Sequence, residues 1–177
     1  MLHYFIVSSK SDFDMFKSNY KQAFTDKNIL AKIISRSLKI KKRYIEKDEY
    51  DQNIRQVFNY GHSFGHAIES LTNYKIPHGV AVSFGMDIAN FISVKMGFLD
   101  KEVRDEIREV TEYIWEGYSI NTIEIESFKH ALSKDKKNVG TKLGLILNKG
   151  FGEVFKSVME PDHNFTLWLK EYFDNEI

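Results

Sequence analysis

The sequence predicts a mainly α-helical domain, and three observations carry that reading. Only two prolines, Pro77 and Pro161, interrupt 177 residues, so long stretches hold no helix breaker. Apolar residues recur at three- and four-residue spacing through most of the chain. Residues suited to helix ends stand at the edges of those periodic runs: Asp26 as an N-cap, Pro77 in a first turn and Gly97 as a stop.

Taken in order, the elements are these. From Asp26 to about Lys47, apolar residues fall at positions 29, 30, 33, 34, 38, 40, 44 and 45, which is helical spacing. A second helix is expected from about Gln52 to Leu71, and a third from Pro77 to about Met96. The run "DKEVRDEIREVTEYIWEGY" from Asp100 reads as a fourth, more exposed helix, and residues from Ile123 to Ser133 as a shorter fifth. The pattern then changes. "KLGLILNKGFGEVFKSV" places turn glycines between short apolar runs, so a small β-hairpin is expected near 143–157. "PDHNFTLWLKEYF" closes the chain as a helix. No internal repeat or low-complexity tract divides it, and 1–177 is expected to form a single helical domain.

Composition narrows the function classes. Apolar residues make up 42% and charged residues 28%, ordinary values for a soluble globular protein. Twenty-five basic side chains balance twenty-five acidic ones, so no whole-chain field favours nucleic acid or an anionic membrane, and neither is expected as a partner. A cluster at Lys39, Lys41, Lys42 and Arg43 is the one feature that argues for nucleic acid, and the zero net charge argues against it. Any anionic ligand must be held locally. The absence of cysteine removes disulfides, thiolate metal sites and cysteine nucleophiles. "MLHYFIVSSK" has neither a basic leader nor a cleavage-site pattern, and no window approaches the roughly 18 apolar residues of a membrane span. A soluble, cytoplasmic domain is the expectation.

The chemistry concentrates in "RQVFNYGHSFGHAIES", residues 55–70. On one continuous helix, Arg55, Asn59, His62, His66 and Glu69 would share a face, flanked by apolar residues and by Gly61 and Gly65. Two glycines in one helix cost roughly 1 kcal/mol each against alanine, which points to close approach by another backbone or a ligand. A lone histidine on a helix is most often a surface or hydrogen-bonded residue, but two at i and i+4 can meet one metal ion. Ser63 follows His62 where a metalloprotease helix needs glutamate, so that chemistry is disfavoured. His78, between Pro77 and Gly79, is a third imidazole that either ligates or bonds its own turn. Lys41 falls with Ile34, Leu38 and Ile45 on an apolar stripe, where a lysine snorkels or meets a buried anion. Lys136 and Lys137 in "SKDKKNVG" read as a solvated turn or as phosphate ligands.

Taken together, these residues resemble the C-terminal domain of 3-dehydroquinate synthase and its sugar-phosphate cyclase relatives. The likeness rests on Ile40-Lys41, Arg55, Asn59, Gly61-His62, Gly65-His66-Ala67, Glu69, His78-Gly79 and Asp135-Lys136-Lys137, in order and at the family's spacing. It runs from near the first residue to at least Gly140. The resemblance implies a zinc or cobalt lyase that uses NAD transiently to turn 3-deoxy-D-arabino-heptulosonate 7-phosphate into 3-dehydroquinate and phosphate, a step of aromatic amino acid biosynthesis. By that analogy His62 and His78 are metal ligands. His66 belongs to the proton-transfer network, while Lys41, Arg55 and Asn59 bind substrate with one of Lys136 and Lys137.

The departures also carry weight. The family's third metal ligand is a glutamate in Glu-x-x-Lys-Tyr, and "MLHY" matches only that motif's tail, with His3 at the lysine position. No glycine-rich dinucleotide loop occurs, so NAD is expected to be bound mainly by an N-terminal nucleotide-binding domain that this chain lacks. The chain would then be a separated fragment, a split-gene product or a truncation, inactive alone, with that domain as its partner. A homodimer is among the assemblies this reading allows. Val80 stands where glutamate often follows His-Gly, and Asp51 replaces a glutamate, which keeps two alternatives in view: a cyclase with another substrate, and a degenerate helical domain without activity.

Overall fold

The computed structural model describes all 177 residues. They form eight α-helices, two short 3₁₀ helices and a two-stranded antiparallel hairpin, so the mainly helical expectation holds. The chain divides into two compact units. Met1–Phe58 with Gly150–Val154 form the first, and Asn59–Lys149 with Phe155–Ile177 form the second.

In the first unit, α1 (Leu2–Ser8) and α2 (Lys10–Lys17) were not legible as helices in the sequence. Leu2, Phe5, Ile6 and Val7 of α1 are buried, and Phe5 packs on Phe16 of α2 with ring centroids 4.8 Å apart. Ser9 caps α2 by accepting the N–H of Asp12. Helix α3 (Lys27–Ile45) starts as expected at Asp26, whose carboxylate accepts the N–H groups of Asn28 and Ile29 at 2.8 and 3.3 Å. Its inward face differs from the expected stripe. Ile33, Ser37 and Ile40 are buried, whereas Ile34 is 39% and Leu38 58% exposed. The sequence places apolar residues on two adjacent faces of α3, and spacing alone does not say which one meets α1. Lys41 therefore does not snorkel out of an inward stripe; it lies half-buried along the outer one.

The second unit is built around α5 (His78–Lys95), in which every residue from Ala81 to Ser93 is buried. Helices α4 (His62–Leu71), α6 (Lys101–Trp115) and α8 (His163–Asn175) pack on it, together with β1 (Leu143–Asn148). Helix α7 (Ile125–Ser133) covers α4, and β2 (Val154–Met159) pairs with β1. Helix α8 is capped by Asp162, whose carboxylate accepts the N–H of Phe165 at 2.8 Å. The buried carboxylate of Asp87 on α5 is not an orphan charge. It accepts Nε and Nη2 of Arg104 at 3.1 and 3.0 Å, Nη1 of Arg108 at 3.2 Å and the Tyr172 hydroxyl at 2.9 Å. No helix is long and apolar enough to cross a membrane.

The expected helix over 52–71 is corrected by the structure. Residues Ile54–Asn59 form a 3₁₀ helix, the chain turns at Tyr60 and Gly61, and α4 begins only at His62. Gly61 has φ +78°, a left-handed conformation that breaks the helical run. Space demands glycine there as well, because a Cβ would stand 2.6 Å from the carbonyl oxygen of Val82 on α5. Gly65 is similarly tight, with a Cβ 2.9 Å from Val82 Cα. Gly85 on the facing helix leaves least room: its Cβ would fall 2.0 Å from the Gly61 carbonyl oxygen. The close approach that the two glycines predicted is therefore real, and the backbone of α5 supplies it.

Candidate functional site

The break at Gly61 divides the five-residue polar stripe. Arg55 and Asn59 lie in the 3₁₀ helix, while His62, His66 and Glu69 follow one another along α4. Six residues of turn then bring the chain to His78, the first residue of α5. Asn73 and Tyr74 in that turn adopt positive φ, and the Tyr74 N–H returns to the Glu69 carbonyl at 2.8 Å. The outcome is three imidazoles in mutual reach. Ring centroids are 5.4 Å apart for His62 and His78, 5.7 Å for His62 and His66, and 5.9 Å for His66 and His78.

Hydrogen bonds fix the tautomers of two of these rings. His62 Nδ1 lies 3.2 Å from the Tyr60 carbonyl oxygen, which can only accept, so Nδ1 carries the proton and Nε2 the lone pair. The carbonyl is itself held in place from the core. The Tyr60 hydroxyl bonds the Asn90 side-chain oxygen, Asn148 Nδ2 donates to that same oxygen at 3.1 Å, and the Asn148 N–H donates to Ser93 Oγ at 3.1 Å. His78 Nδ1 lies 3.1 and 3.2 Å from the two oxygens of Glu69, a carboxylate only 8% exposed. Nδ1 donates there too, which makes Nε2 the lone-pair nitrogen. A carboxylate or carbonyl behind an imidazole in this way is the usual support of a metal-ligating histidine.

Burial and neighbouring charge favour the neutral forms of His62 and His66. Burial lowers the His62 pKa to about 4, with further depression from His66, His78 and Lys137. Burial also lowers His66, and the Lys137 cation adds to it. Lys137 is half-buried with its Nζ 2.8 Å from Asp135 Oδ2, and its backbone N–H donates to Asp135 Oδ1 at 3.0 Å. Burial would raise Asp135, but those bonds and the lysine charge outweigh it and hold the carboxyl below its ordinary range. Lys136, by contrast, is exposed. The lysine that electrostatically faces the histidines is thus Lys137.

Among divalent-metal donors, one ligand atom each from His66, Glu69 and His78 lie within 4.8 Å of one another. Two donor sets therefore share His78, one with His62 and one with His66 and Glu69. Imidazoles whose Nδ1 is committed elsewhere, as in His62 and His78, fit a zinc- or cobalt-type ion through Nε2. Glu69 was placed on the polar stripe by the sequence but given no role. Its partnership with His78 depends on the path of the intervening turn, which spacing does not reveal. Tyr60, Asn90 and Asn148 gave no sequence signal, being ordinary residues until the core brings them together.

Arg55 and Lys41 belong to the first unit. Arg55 is half-buried; its Nη1 donates to the Glu49 carbonyl at 2.7 Å, and its N–H to Asp48 Oδ2 at 3.0 Å. Buried Asp48 also accepts the N–H groups of Gln52 and Asn53, at 3.0 and 2.7 Å, and so shapes the loop that carries Arg55. Asn59 is half-buried at the end of the 3₁₀ helix.

Comparison with known proteins places these features in a lineage. A family model described as 3-dehydroquinate synthase C-terminal matches residues 1–138. The chain is 36% identical over 167 residues to a 3-dehydroquinate synthase of Dictyoglomus thermophilum, covering 92% of the chain and 46% of that protein. It is 40% identical over 136 residues to one of Helicobacter hepaticus, covering 75% and 38%. It thus spans less than half the length of these relatives. Among solved structures, 2-epi-5-epi-valiolone synthase from Streptomyces hygroscopicus subsp. jinggangensis, with NAD+ and Zn2+ bound, matches 99% of the chain and 50% of its own, with TM-score 0.80 at 14% identity. A 2-deoxy-scyllo-inosose synthase complexed with carbaglucose-6-phosphate, NAD+ and Co2+ matches 83% of the chain and 42% of its own, with TM-score 0.69 at 24% identity. At those identities the structural likeness is one of fold.

Proposed function

The chain belongs to the 3-dehydroquinate synthase family, whose C-terminal part it matches, and from that premise we propose that it is the metal- and substrate-binding part of such an enzyme. The reaction proposed is conversion of 3-deoxy-D-arabino-heptulosonate 7-phosphate to 3-dehydroquinate and phosphate. One observation carries the reading. His62 and His78 stand 5.4 Å apart with both Nδ1 protons committed, so both direct an Nε2 lone pair outward from their supports.

His62 and His78 are the proposed metal ligands. Zinc or cobalt held there would supply Lewis acidity toward a bound hydroxyl or ketone oxygen. Glu69 is better used behind His78 than on the metal, since its carboxylate already takes the His78 Nδ1–H. His66, kept neutral by burial and by Lys137, is a base available to accept a substrate proton on an imidazole nitrogen. Lys137 is the proposed phosphate or carboxylate contact in preference to exposed Lys136. Lys41, Arg55 and Asn59 are proposed for the remaining carboxylate, phosphate and hydroxyl groups; the Arg55 fork, oriented by Glu49, suits an oxyanion. NAD is proposed to be held mainly by a nucleotide-binding part outside this chain, and the chain alone is proposed to be inactive. Val80 and His3 favour a second reading, a cyclase for another sugar phosphate. Turnover with each substrate, measured after adding the nucleotide-binding part, decides between them.

Zinc titration against a competing chelator tests the metal assignment. We expect one-to-one binding that falls at least about 100-fold in His62→Ala and His78→Ala, and about 10–100-fold in Glu69→Gln. His66→Ala should change it little. If His66→Ala abolishes binding and His62→Ala leaves it intact, the ion occupies the His66, Glu69 and His78 set, and the assignment fails. Phosphate release by the isolated chain would overturn the proposed inactivity.

A further inference from the structure

The first unit contains a pocket of about 360 Å³, and no residue assigned to the metal or sugar-phosphate chemistry lines it. Arg43 in the last turn of α3 and Lys47, two residues past its end, form its cationic side with Ser8 at the end of α1. Tyr44, Val57 and Val154 form its apolar side. The size falls within the range of small-molecule sites, and a mostly apolar wall with a few polar groups is their usual make-up.

Both sides are held in place. Arg43 Nη2 donates to Ser8 Oγ at 2.9 Å and lies 3.8 Å from Asp12 Oδ2. That carboxylate is already engaged. Arg36 Nε donates to it at 2.6 Å, and the hydroxyls of Ser8 and Ser9 bond it as well. Asp12 is therefore balanced by Arg36, and the charge of Arg43 is left largely uncompensated. The Lys47 ammonium has no hydrogen bond or ion pair, while its backbone N–H donates to the Tyr44 carbonyl at 3.2 Å. On the opposite side, the Tyr44 hydroxyl donates to the Val7 carbonyl at 3.2 Å, and its ring packs on Phe58, with centroids 4.7 Å apart. Phe58 in turn meets Tyr4 edge-on at 4.7 Å, so the aromatic wall is braced from behind.

We propose that this pocket binds a small amphipathic carboxylate, with the anion between Arg43 and Lys47 and an aromatic or branched body against Tyr44, Val57 and Val154. The guanidinium fork suits a planar carboxylate, and the ammonium adds a second cation. The apolar wall rewards a body that a bare oxyanion lacks. This inference goes beyond the metal reading and does not depend on it.

The test uses the full chain and three probes: 3-phenylpropanoate, its neutral analogue 3-phenylpropanol, and inorganic phosphate. Amide chemical shifts are followed by heteronuclear NMR at constant ionic strength. We expect saturable shifts with phenylpropanoate at Ser8, at 43–47 and at Val57 and Val154. Affinity should fall about tenfold in Arg43→Gln and in Lys47→Gln, as for loss of one charge-assisted contact. Phenylpropanol should give weak, unsaturated shifts. Lys47 is exposed and its ammonium unpartnered, so Lys47→Gln keeps the test valid even if Arg43→Gln disturbs the Asp12 cluster. Equal binding of the alcohol, or no saturable shift at these amides, overturns the proposal. So does undiminished affinity in Lys47→Gln. Phosphate binding as tightly as phenylpropanoate would mark a plain oxyanion site and overturn the carboxylate class.

Discussion

Helices α3 and α4 both carry residues of the proposed chemistry, yet they are positioned by opposite means. Helix α4 is seated backbone against backbone on α5, through Gly61, Gly65 and Gly85; its His62 is held by the Tyr60 carbonyl, and its Glu69 holds His78 at the start of α5. Helix α3 is a long amphipathic rod buried along only Ile33, Ser37 and Ile40, with its cations on flexible arms outside that line. The difference follows from the tasks. A metal tolerates only small errors in ligand position, so its ligands need short side chains on a rigid seam. An anion is satisfied by a cation over a wider range, so lysine on a half-exposed helix suffices.

The largest expected effect comes from breaking the seam. Gly85→Ala places a Cβ 2.0 Å from the Gly61 carbonyl oxygen, a backbone atom that cannot swing aside. We expect a loss of at least about 3 kcal/mol in urea unfolding. Gly79→Ala on the same helix is the control. A Cβ there meets nothing within 4 Å, and the change should stabilise by no more than about 1 kcal/mol. If both variants behaved alike, close approach would not be what glycine provides at position 85.

These residues also show how far the sequence could be read. The three histidines and the glycine pair's demand for close approach, by a backbone or a ligand, were legible from spacing and residue type; that α5 makes the approach was not. Nor was the break at Gly61. Glycine permits positive φ without requiring it, and the requirement comes from Val82 and Gly85, which are remote in sequence. Helices α1 and α2 were missed because each is only about two turns long, too short for periodicity to separate helix from strand. On α3 the helix and its cap were read correctly but the buried face was not, since Ile34 and Leu38 are as apolar as Ile33 and Ile40.

Next in size is a pH effect confined to the seam. Folding holds His62 neutral, with its pKa lowered from 6.5 to about 4. Above pH 6.5 neither folded nor unfolded His62 is protonated, and its contribution to stability is complete. As pH falls from 6.5 towards 4, the unfolded chain gains a proton that the folded unit refuses, and stability is lost. The expected loss is on the order of 1–2 kcal/mol, allowing for solvent screening of the half-buried ring. His62→Asn should flatten the acid limb between pH 7 and 4.5. Parallel stability curves for parent and variant would contradict it. Helix α3 offers a smaller, pH-independent counterpart at its start. Asp26→Ala removes the acceptor for two backbone N–H groups and should cost about 1 kcal/mol. An unchanged unfolding midpoint would mean the cap is replaced by water at no cost.

The smallest effect sharpens the contrast most. Leu38 points away from the buried line of α3 and is 58% exposed. A glutamine there keeps helix propensity nearly level with leucine and gives up little burial. Leu38→Gln should therefore leave stability within about 0.5 kcal/mol. Ile40→Ala, one half-turn on and fully buried, should cost about 2–5 kcal/mol. A rod held along one line must show this asymmetry between adjacent faces. If Leu38→Gln proved as damaging as Ile40→Ala, α3 would be gripped from both sides in this chain, and the looser mounting inferred for its cations would be wrong.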